Sequence, residues 1–335
     1  MDKVRFAVVG CGHIGKRHAA MISRDERAVL SALCDIRPAK TLGVDHYETP
    51  FFSSIDELLA SGIPIDVANI CTPNGLHAPL AVKVLQAHLH VVIEKPMALS
   101  VKEARWILDT AREMDRRVFC VMQNRYSPPS IWIKDLLQSG KLGEIYIVQI
   151  NCYWNRDERY YGTSGWHGTK DLDGGTLFTQ FSHFIDLMYW LFGDIANIRA
   201  RFNDFNHAQL TDFEDSGIVN FDFIRGGSGI LSYSTAVWDK NFESSVTIIA
   251  AKGTIKIGGQ YMNQVEYCHV ENYTMLELPP TNPGNDYGYY TGSAQNHHYV
   301  IEHVIKALNN DETARVTLPE EGLKVVEIIE KIYKS

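Results

Sequence analysis

The sequence predicts an α/β protein of two domains, a parallel-sheet domain over residues 1–122 and an α/β domain with an open, mainly antiparallel sheet over residues 123–335. Three observations carry that expectation. A short apolar strand from Val4 runs straight into Gly10, Gly12 and Gly15. Apolar runs and helical stretches then alternate as far as Met122. Beyond it, apolar runs follow one another with short turns, the spacing of antiparallel strands rather than of crossover units.

The first strand and its glycines form a G-x-G-x-x-G turn. The first glycine makes the tight turn, the second lets backbone approach a pyrophosphate, and the third lets the following helix pack on the strand. The helix N-terminus then offers free N–H groups and a partial positive charge to an anion. Ile14 lies within the turn and His13 sits where it can touch phosphate. A second strand, Val29 to Cys34, ends in Asp35, about 20 residues past the last glycine, where an acid meets ribose hydroxyls. Together these predict a Rossmann domain. A carboxylate there repels a 2′-phosphate, which favours NAD over NADP; Arg37 could instead neutralise that phosphate or lie over the adenine.

The remaining strands of this domain are Asp66 to Cys71, His90 to Ile93 and Val118 to Met122. Thr72-Pro73-Asn74 follows the first of these, then a helix from His77 to about His88. Glu94-Lys95-Pro96 follows the second, then a helix capped by Ser100, with Glu103 completing a capping box. Right-handed crossovers put all these strand ends at one edge of the sheet, the edge that carries function.

In the second half, a helix over Pro128 to Ser139 precedes strands at Ile145–Tyr153, Ile195–Phe202, Ser216–Phe223, Gly229–Val237, Ser245–Ala250 and Gly253–Ile257. One helix, Gly175 to Phe192, interrupts them. A sheet with one open face would expose Ile218, Val219, Phe221, Ile230 and Leu231, so a homo-oligomer is expected. The tail, Asn296 to Leu308 and Glu320 to Tyr333, reads as helices packing back on the body.

Net charge of -8 argues against a nucleic-acid partner, since phosphate binding of that kind needs a basic surface. No apolar run is long enough to span a bilayer, and the first strand begins without a leader. The 6 cysteines show no C-x-x-C pairing and read as reduced core thiols in a cytoplasmic protein. Clustered cysteines and H-E-x-x-H are lacking, so no metal is expected. Adjacent His297 and His298 point about 100° apart on a helix and make poor joint ligands.

GCGHIG, TPNGLH and EKP at this spacing resemble the oxidoreductase family typified by glucose-fructose oxidoreductase and inositol dehydrogenases, which implies a Rossmann domain joined to an α/β domain with an open, mainly antiparallel sheet. The second half is more specific. QNRY (Gln123–Tyr126), YWNRDERYYGTSGWHGT (Tyr153–Thr169), LDGGTLFTQFSHFIDLMYWLFG (Leu172–Gly193), FEDSGIV (Phe213–Val219) and NFESSVTIIAAKGTIKIGG (Asn241–Gly259) resemble the branch of bacterial dehydrogenases that oxidise C3 of UDP-N-acetylglucosaminuronic acid for surface polysaccharides. Two departures stand out: Trp166-His167-Gly168-Thr169-Lys170 replaces W-R-G-T-W, and Thr179 replaces the Asp or Asn four residues before the histidine.

Read alone, Lys95 is either a solvated charge or a group beside the cofactor crevice. His183, with Asp186 at i+3, is either a buried hydrogen-bonding residue or a base. His77 either approaches the nicotinamide or caps its helix. The resemblance implies that Lys95 and His183 are catalytic. It further implies that Thr72, Pro73, Asn74, His77, Glu94, Lys95, Gln123 and Trp166 join the glycine turn in holding NAD. For the substrate it implies Lys95, His183, Tyr161, Thr179 and Gln180, with Arg125, Arg156, Arg159, His167 and Lys170 as candidate cations for a diphosphate and a sugar carboxylate; Arg156 and Arg159 could instead be solvated loop charges among Asp157 and Glu158. The aromatic cluster Tyr153, Trp154, Tyr160, Tyr161 and Trp166 would stack on a sugar or base, or serve as core.

The expected function is therefore NAD-dependent oxidation of a ring hydroxyl on a nucleotide-linked sugar by a cytoplasmic homotetramer. Three rivals differ in class or substrate: a dehydrogenase of a free polyol or sugar, an NAD-dependent glycosidase, and a cofactor-binding regulator without turnover.

Overall fold

The computed structural model describes residues 3–162, 165–288 and 290–335. Thr163 and Ser164, within the YWNRDERYYGTSGWHGT segment, lie outside the described residues. The chain resolves into two compact units, the first Met1–Met122 with His297–Val326 and the second Gln123–Asn296 with Glu327–Ser335.

The first unit holds strands β1 (Val4–Val9), β2 (Ala28–Cys34), β3 (Phe51–Phe52), β4 (Val67–Ile70), β5 (His90–Ile93) and β6 (Val118–Cys120). Its helices are α1 (His13–Arg24), α2 (Ala39–Leu42), α3 (Ile55–Ala60), α4 (His77–Gln86) and α5 (Val101–Glu113). The strands lie in the order β3-β2-β1-β4-β5-β6, and every pairing is parallel. β1 and β4 are buried on both faces apart from Arg5, as a sheet covered by helices on both sides requires. The order reverses at β1, so the crevice between the carboxyl ends of β1 and β4 is where such sheets bind ligands. Ser100 caps α5 by accepting from Glu103 N–H at 3.2 Å while its hydroxyl donates to the Glu103 carboxylate at 2.9 Å.

The second unit holds α6 (Pro128–Gln138), β7 (Ile145–Tyr153), α7 (Glu158–Tyr161), α8 (Thr176–Thr179), α9 (Ser182–Phe192), β8 (Ile195–Asn203), β9 (Ser216–Phe223) and β10 (Ser228–Ser234). It continues with β11 (Glu243–Ala250), β12 (Gly253–Gly258), β13 (Gln264–Val270) and the hairpin β14 (Gly284–Asp286) and β15 (Thr291–Ala294). The large sheet runs β13-β12-β11-β7-β10-β9-β8; all of its pairings are antiparallel except β10 with β7. The tail forms α10 (His297–Leu308) and α11 (Pro319–Tyr333).

Two expectations are corrected. Val219, Phe221 and Leu231 do not join Ile218 and Ile230 on an open face. Side chains alternate across a strand, so those three are at most 3% exposed on the inner face, while Ile218 and Ile230 are 50% and 37% exposed on the other. The inner face packs on α9, with Phe192 against Phe223 at 5.3 Å and Trp154 edge-on to Phe184 at 5.7 Å. The single helix over Gly175–Phe192 is instead two. The Thr176 carbonyl accepts from both Gln180 N–H at 3.0 Å and Phe181 N–H at 3.2 Å, a widened turn that shifts the ladder by one residue and starts α9 afresh.

A buried polar cluster ties α1, β4, β5 and α10 together. His18 receives the Asn69 amide at Nδ1 (2.8 Å) and donates from Nε2 to Glu94 (2.9 Å), so one tautomer satisfies both bonds. His297 lies with Nε2 3.6 Å from the same carboxylate. Burial acts to raise the Glu94 carboxyl, but the His18 hydrogen bond and the neighbouring His297, His18 and Lys95 side chains outweigh it and hold the group down at about 2. Burial pushes His297 from 6.5 down to about 3, with Glu94 opposing.

His297 therefore stays neutral in the folded chain while the unfolded chain takes up its proton, so stability is full above pH 6.5 and is lost as pH falls from there toward about 3. The slope from this one site approaches about 1.4 kcal/mol per pH unit. Urea midpoints of the native protein should fall more steeply than those of His297→Gln as pH is lowered from about 7 to about 5; equal slopes would refute the assignment.

Candidate functional site

The cradle at the carboxyl end of β1 is built by absent side chains. Gly10 has φ +88°, and a Cβ there would lie 2.7 Å from the Cys71 carbonyl oxygen. On Gly15 it would lie 1.8 Å from the Gly10 carbonyl oxygen. Both glycines are thus demanded by the fold itself. Gly12 differs: a Cβ there would meet only Arg37 Nη2, at 3.9 Å, so its side-chain space is open. As N-cap of α1, Gly12 supplies no side-chain cap, which leaves the first-turn N–H groups to an external acceptor.

Asp35 closes the cradle. It accepts Cys11 N–H at 2.7 Å and Arg37 N–H at 2.9 Å, and Arg37 Nε lies 3.2 Å from it. Burial works to raise its carboxyl, but these bonds outweigh burial and keep it below the ordinary range. Burial and the charges of Lys16, Arg17 and Arg37 lower His13. The Thr72 hydroxyl oxygen, one residue past the Cys71 carbonyl, is buried with no hydrogen-bond partner among the described residues. An open Gly12, an uncapped helix N-terminus, an ionised Asp35 and an orphaned hydroxyl at the switch point fit a bound dinucleotide. Gly10, Gly12, Ile14 and Gly15 through backbone, and Asp35 through its carboxylate, are the groups here that could hold one.

Other residues of the set have inward roles. His77 is 1% exposed, its ring nitrogens 2.7 Å from the Pro96 carbonyl and 2.9 Å from the Thr72 carbonyl. It therefore staples the turn after β4 to the turn after β5. Glu94 faces α1, as described above, while Lys95 after it is half-buried at the strand end, with a cis bond to Pro96.

In the second unit, His183 lies in the first turn of α9 and is 3% exposed. Gln123, in a short 3-10 turn of Gln123–Tyr126, has its amide nitrogen 3.2 Å from His183 Nε2. Asp186 takes a buried bidentate ion pair from Arg125, at 2.9 and 2.6 Å. Arg125, a candidate cation for the substrate, has its charge engaged here by Asp186. Thr179 donates to the Asp173 carbonyl at 2.9 Å and contacts its carboxylate. Asp173 also accepts Gly168 N–H at 2.7 Å, anchoring the altered motif, in which His167 stacks on Tyr160 at 4.1 Å. Trp166 packs on His167 at 4.0 Å. Gln180 bonds Arg156 and the Tyr160 hydroxyl, both at 2.8 Å, and Tyr161 is buried beside Tyr160.

Arg156 is not a loop charge but one of the most buried side chains of the unit. Arg159 is 44% exposed and pairs with Asp157 and Asp239. Asp173 and Asn241, which organise these groups, escaped the sequence reading, although both lie in segments that carry the family resemblance. Among the described residues no group of three or more potential ligands could hold a metal, and no helix is long and apolar enough to cross a membrane.

Residues 4–122 match the model of an oxidoreductase family with an NAD-binding Rossmann fold, and residues 131–256 match the GFO/IDH/MocA C-terminal domain. The WlbA dehydrogenase of Bordetella pertussis, solved with NADH and UDP-GlcNAcA, is similar at 30% identity with a TM-score of 0.87, over 99% of this chain and 96% of that one. The WlbA enzyme of Chromobacterium violaceum, solved with the same two ligands, gives 30% identity and 0.89 over 100% and 94%. D-glucoside 3-dehydrogenase of Escherichia coli is 28% identical over 57% of this chain and 54% of its own length, so only about half of that relative is spanned. Inositol 2-dehydrogenase of Rhizobium meliloti is 29% identical over 82% of each.

Gly12→Glu should leave folding intact, since its Cβ meets little, and abolish NAD binding by filling the open space with an acid. Calorimetric titration checks this, with circular dichroism as the folding control; unchanged NAD affinity would refute the cradle.

Proposed function

The chain belongs to the Gfo/Idh/MocA family of NAD-binding oxidoreductases, and from that premise we propose that it oxidises the C3 hydroxyl of UDP-N-acetylglucosaminuronic acid. The observation that carries the reading is the similarity, over nearly the whole of each chain, to two dehydrogenases solved with NADH and that nucleotide sugar. NAD supplies the hydride acceptor. Loss of hydride from a secondary alcohol also requires loss of its proton. His183 is assigned as the base that takes it, with Gln123 beside Nε2 to hold the ring. Lys95 is assigned as the donor that orients the hydroxyl oxygen and stabilises developing alkoxide charge. Gln180, Tyr161, Thr179, His167 and Trp166 are assigned to shaping the substrate pocket. The product fits a cytoplasmic step toward surface polysaccharide.

A second reading, a dehydrogenase of a free sugar or polyol, is favoured by the resemblance to D-glucoside 3-dehydrogenase and inositol 2-dehydrogenase. His167 and Thr179, where the branch carries Arg and Asp or Asn, are the positions at which specificity would have moved.

A panel of UDP-N-acetylglucosaminuronic acid, UDP-N-acetylglucosamine, glucuronate and inositol should reduce bound NAD fastest with the first. Lys95→Met and His183→Asn should keep NAD affinity and slow hydride transfer by roughly 10²- to 10⁴-fold. Comparable reduction by inositol would select the second reading, and normal single-turnover rates in both variants would remove the mechanism.

The protein is further proposed to be a homotetramer assembled through the outer face of the large sheet. Ile147, Ile218, Ile230 and Ile249, 37–50% exposed, support this, because such a cluster of apolar side chains favours coverage. Light scattering should give a tetramer mass at micromolar concentration, and a monomer mass would contradict it.

A further inference from the structure

Arg156 is 2% exposed, and no carboxylate among the described residues pairs with it. Its guanidinium donates to Gln180 Oε1 at 2.8 Å, Asn241 Oδ1 at 3.1 Å, the Thr291 carbonyl at 3.3 Å and the Asn155 carbonyl. All four acceptors are neutral. Three rings close around it, Trp154 at 4.9 Å, Tyr160 at 5.2 Å and Tyr290 at 4.9 Å. Cation–π contact offsets part of the desolvation cost but leaves the charge unneutralised. Burial accordingly pulls the group below its ordinary value.

A cleft of about 170 Å³ lies against this cage, lined by Asn155, Lys240, Asn241, Gln260, Tyr290 and Thr291. Asn155, Asn241, Tyr290 and Thr291 thus form a wall with Arg156 behind it. Lys240 is exposed, and among the described residues its ammonium has no hydrogen-bond or salt-bridge partner. The nearby carboxylates of Asp157 and Asp239 are both drawn to Arg159. In a chain of net charge -8, this corner is locally positive. Two residues before Lys240, Trp238 is 91% exposed, a ring surface suited to stacking on a nucleobase. Sites that enclose a whole small molecule run to roughly 300–1,000 Å³, so this cleft takes one part of a ligand.

We propose that the cleft holds the diphosphate of a nucleoside diphosphate, with Lys240 pairing to phosphate oxygen, Gln260 donating its amide to a second oxygen, and Trp238 stacking on the base. Arg156 contributes a fixed positive field through the wall and orders Asn241 and Tyr290 within it. This deepens the nucleotide-sugar reading and rests on it, but its test does not use oxidation.

UDP, pyrophosphate and glucuronate are titrated calorimetrically into the NAD-loaded protein. UDP should bind, and Lys240→Ala should weaken it by about tenfold, the scale of a hydrogen bond to a charged group. Gln260→Ala should weaken it by less. Trp238→Ala should weaken UDP while leaving pyrophosphate unaffected, and glucuronate should be indifferent to all three changes. UDP affinity unchanged in Lys240→Ala, or no UDP binding by the native protein, overturns the cleft assignment whichever sugar the oxidation panel selects. Oxidation of the nucleotide sugar with UDP affinity insensitive to these substitutions would refute the cleft and leave the proposed reaction standing.

Discussion

The first unit depends on one contact, the approach of α1 to β1 where Gly15 lies against the Gly10 carbonyl. A side chain at Gly15 would begin 1.8 Å from that oxygen, so the helix would have to lift off the strand. Its N-terminal N–H groups would then leave the carboxyl edge of the sheet, and the anion site would be lost with them. The same closeness carries His18, on α1, to the Glu94 carboxylate after β5. Glycine geometry at the start of the chain thereby positions the turn that bears Lys95.

Buried charge is handled in three ways, and the differences bear on function. Arg125 and Asp186 neutralise each other in a bidentate pair; removing one partner of such a pair costs about 3–5 kcal/mol because the other is stranded. The pair braces the 3-10 turn that carries Gln123 against the helix that carries His183. Glu94 is stabilised as an anion by hydrogen bonding from His18. Among the described residues Arg156 has only neutral oxygens and aromatic faces about it, an arrangement that a fold seeking stability alone would not favour over an apolar side chain.

The large sheet separates two tasks by alternation. Its inner face, with Val219, Phe221, Leu231 and Tyr233 at most 3% exposed, provides the floor on which α9 lies. The outer face mixes isoleucines with serine, asparagine and threonine along β7, β9, β10 and β11. Burial of α9 on one side fixes where His183 stands, leaving the other side available to association.

Features that depend on neighbouring residues were legible in the sequence. β7 over Ile145–Tyr153, the glycine cradle, Asp35 at the end of β2 and the Ser100–Glu103 cap all follow from period, turn chemistry and capping, which act within a few residues. The short elements α2, β3 and α3, the strand β13 and the β14–β15 hairpin were missed, because runs so short or so polar carry little periodic signal. The break between α8 and α9 was hidden too, since an apolar helix pattern continues across it. What only the tertiary structure decided is the partner of each buried polar group. Arg125 finds Asp186 across 61 residues, Glu94 finds His18 across 76, and Arg156 finds Thr291 across 135. Sequence sets which side chains are charged, but the energy of a buried charge depends on what stands within a few ångströms of it, and that is known only once distant segments have packed together.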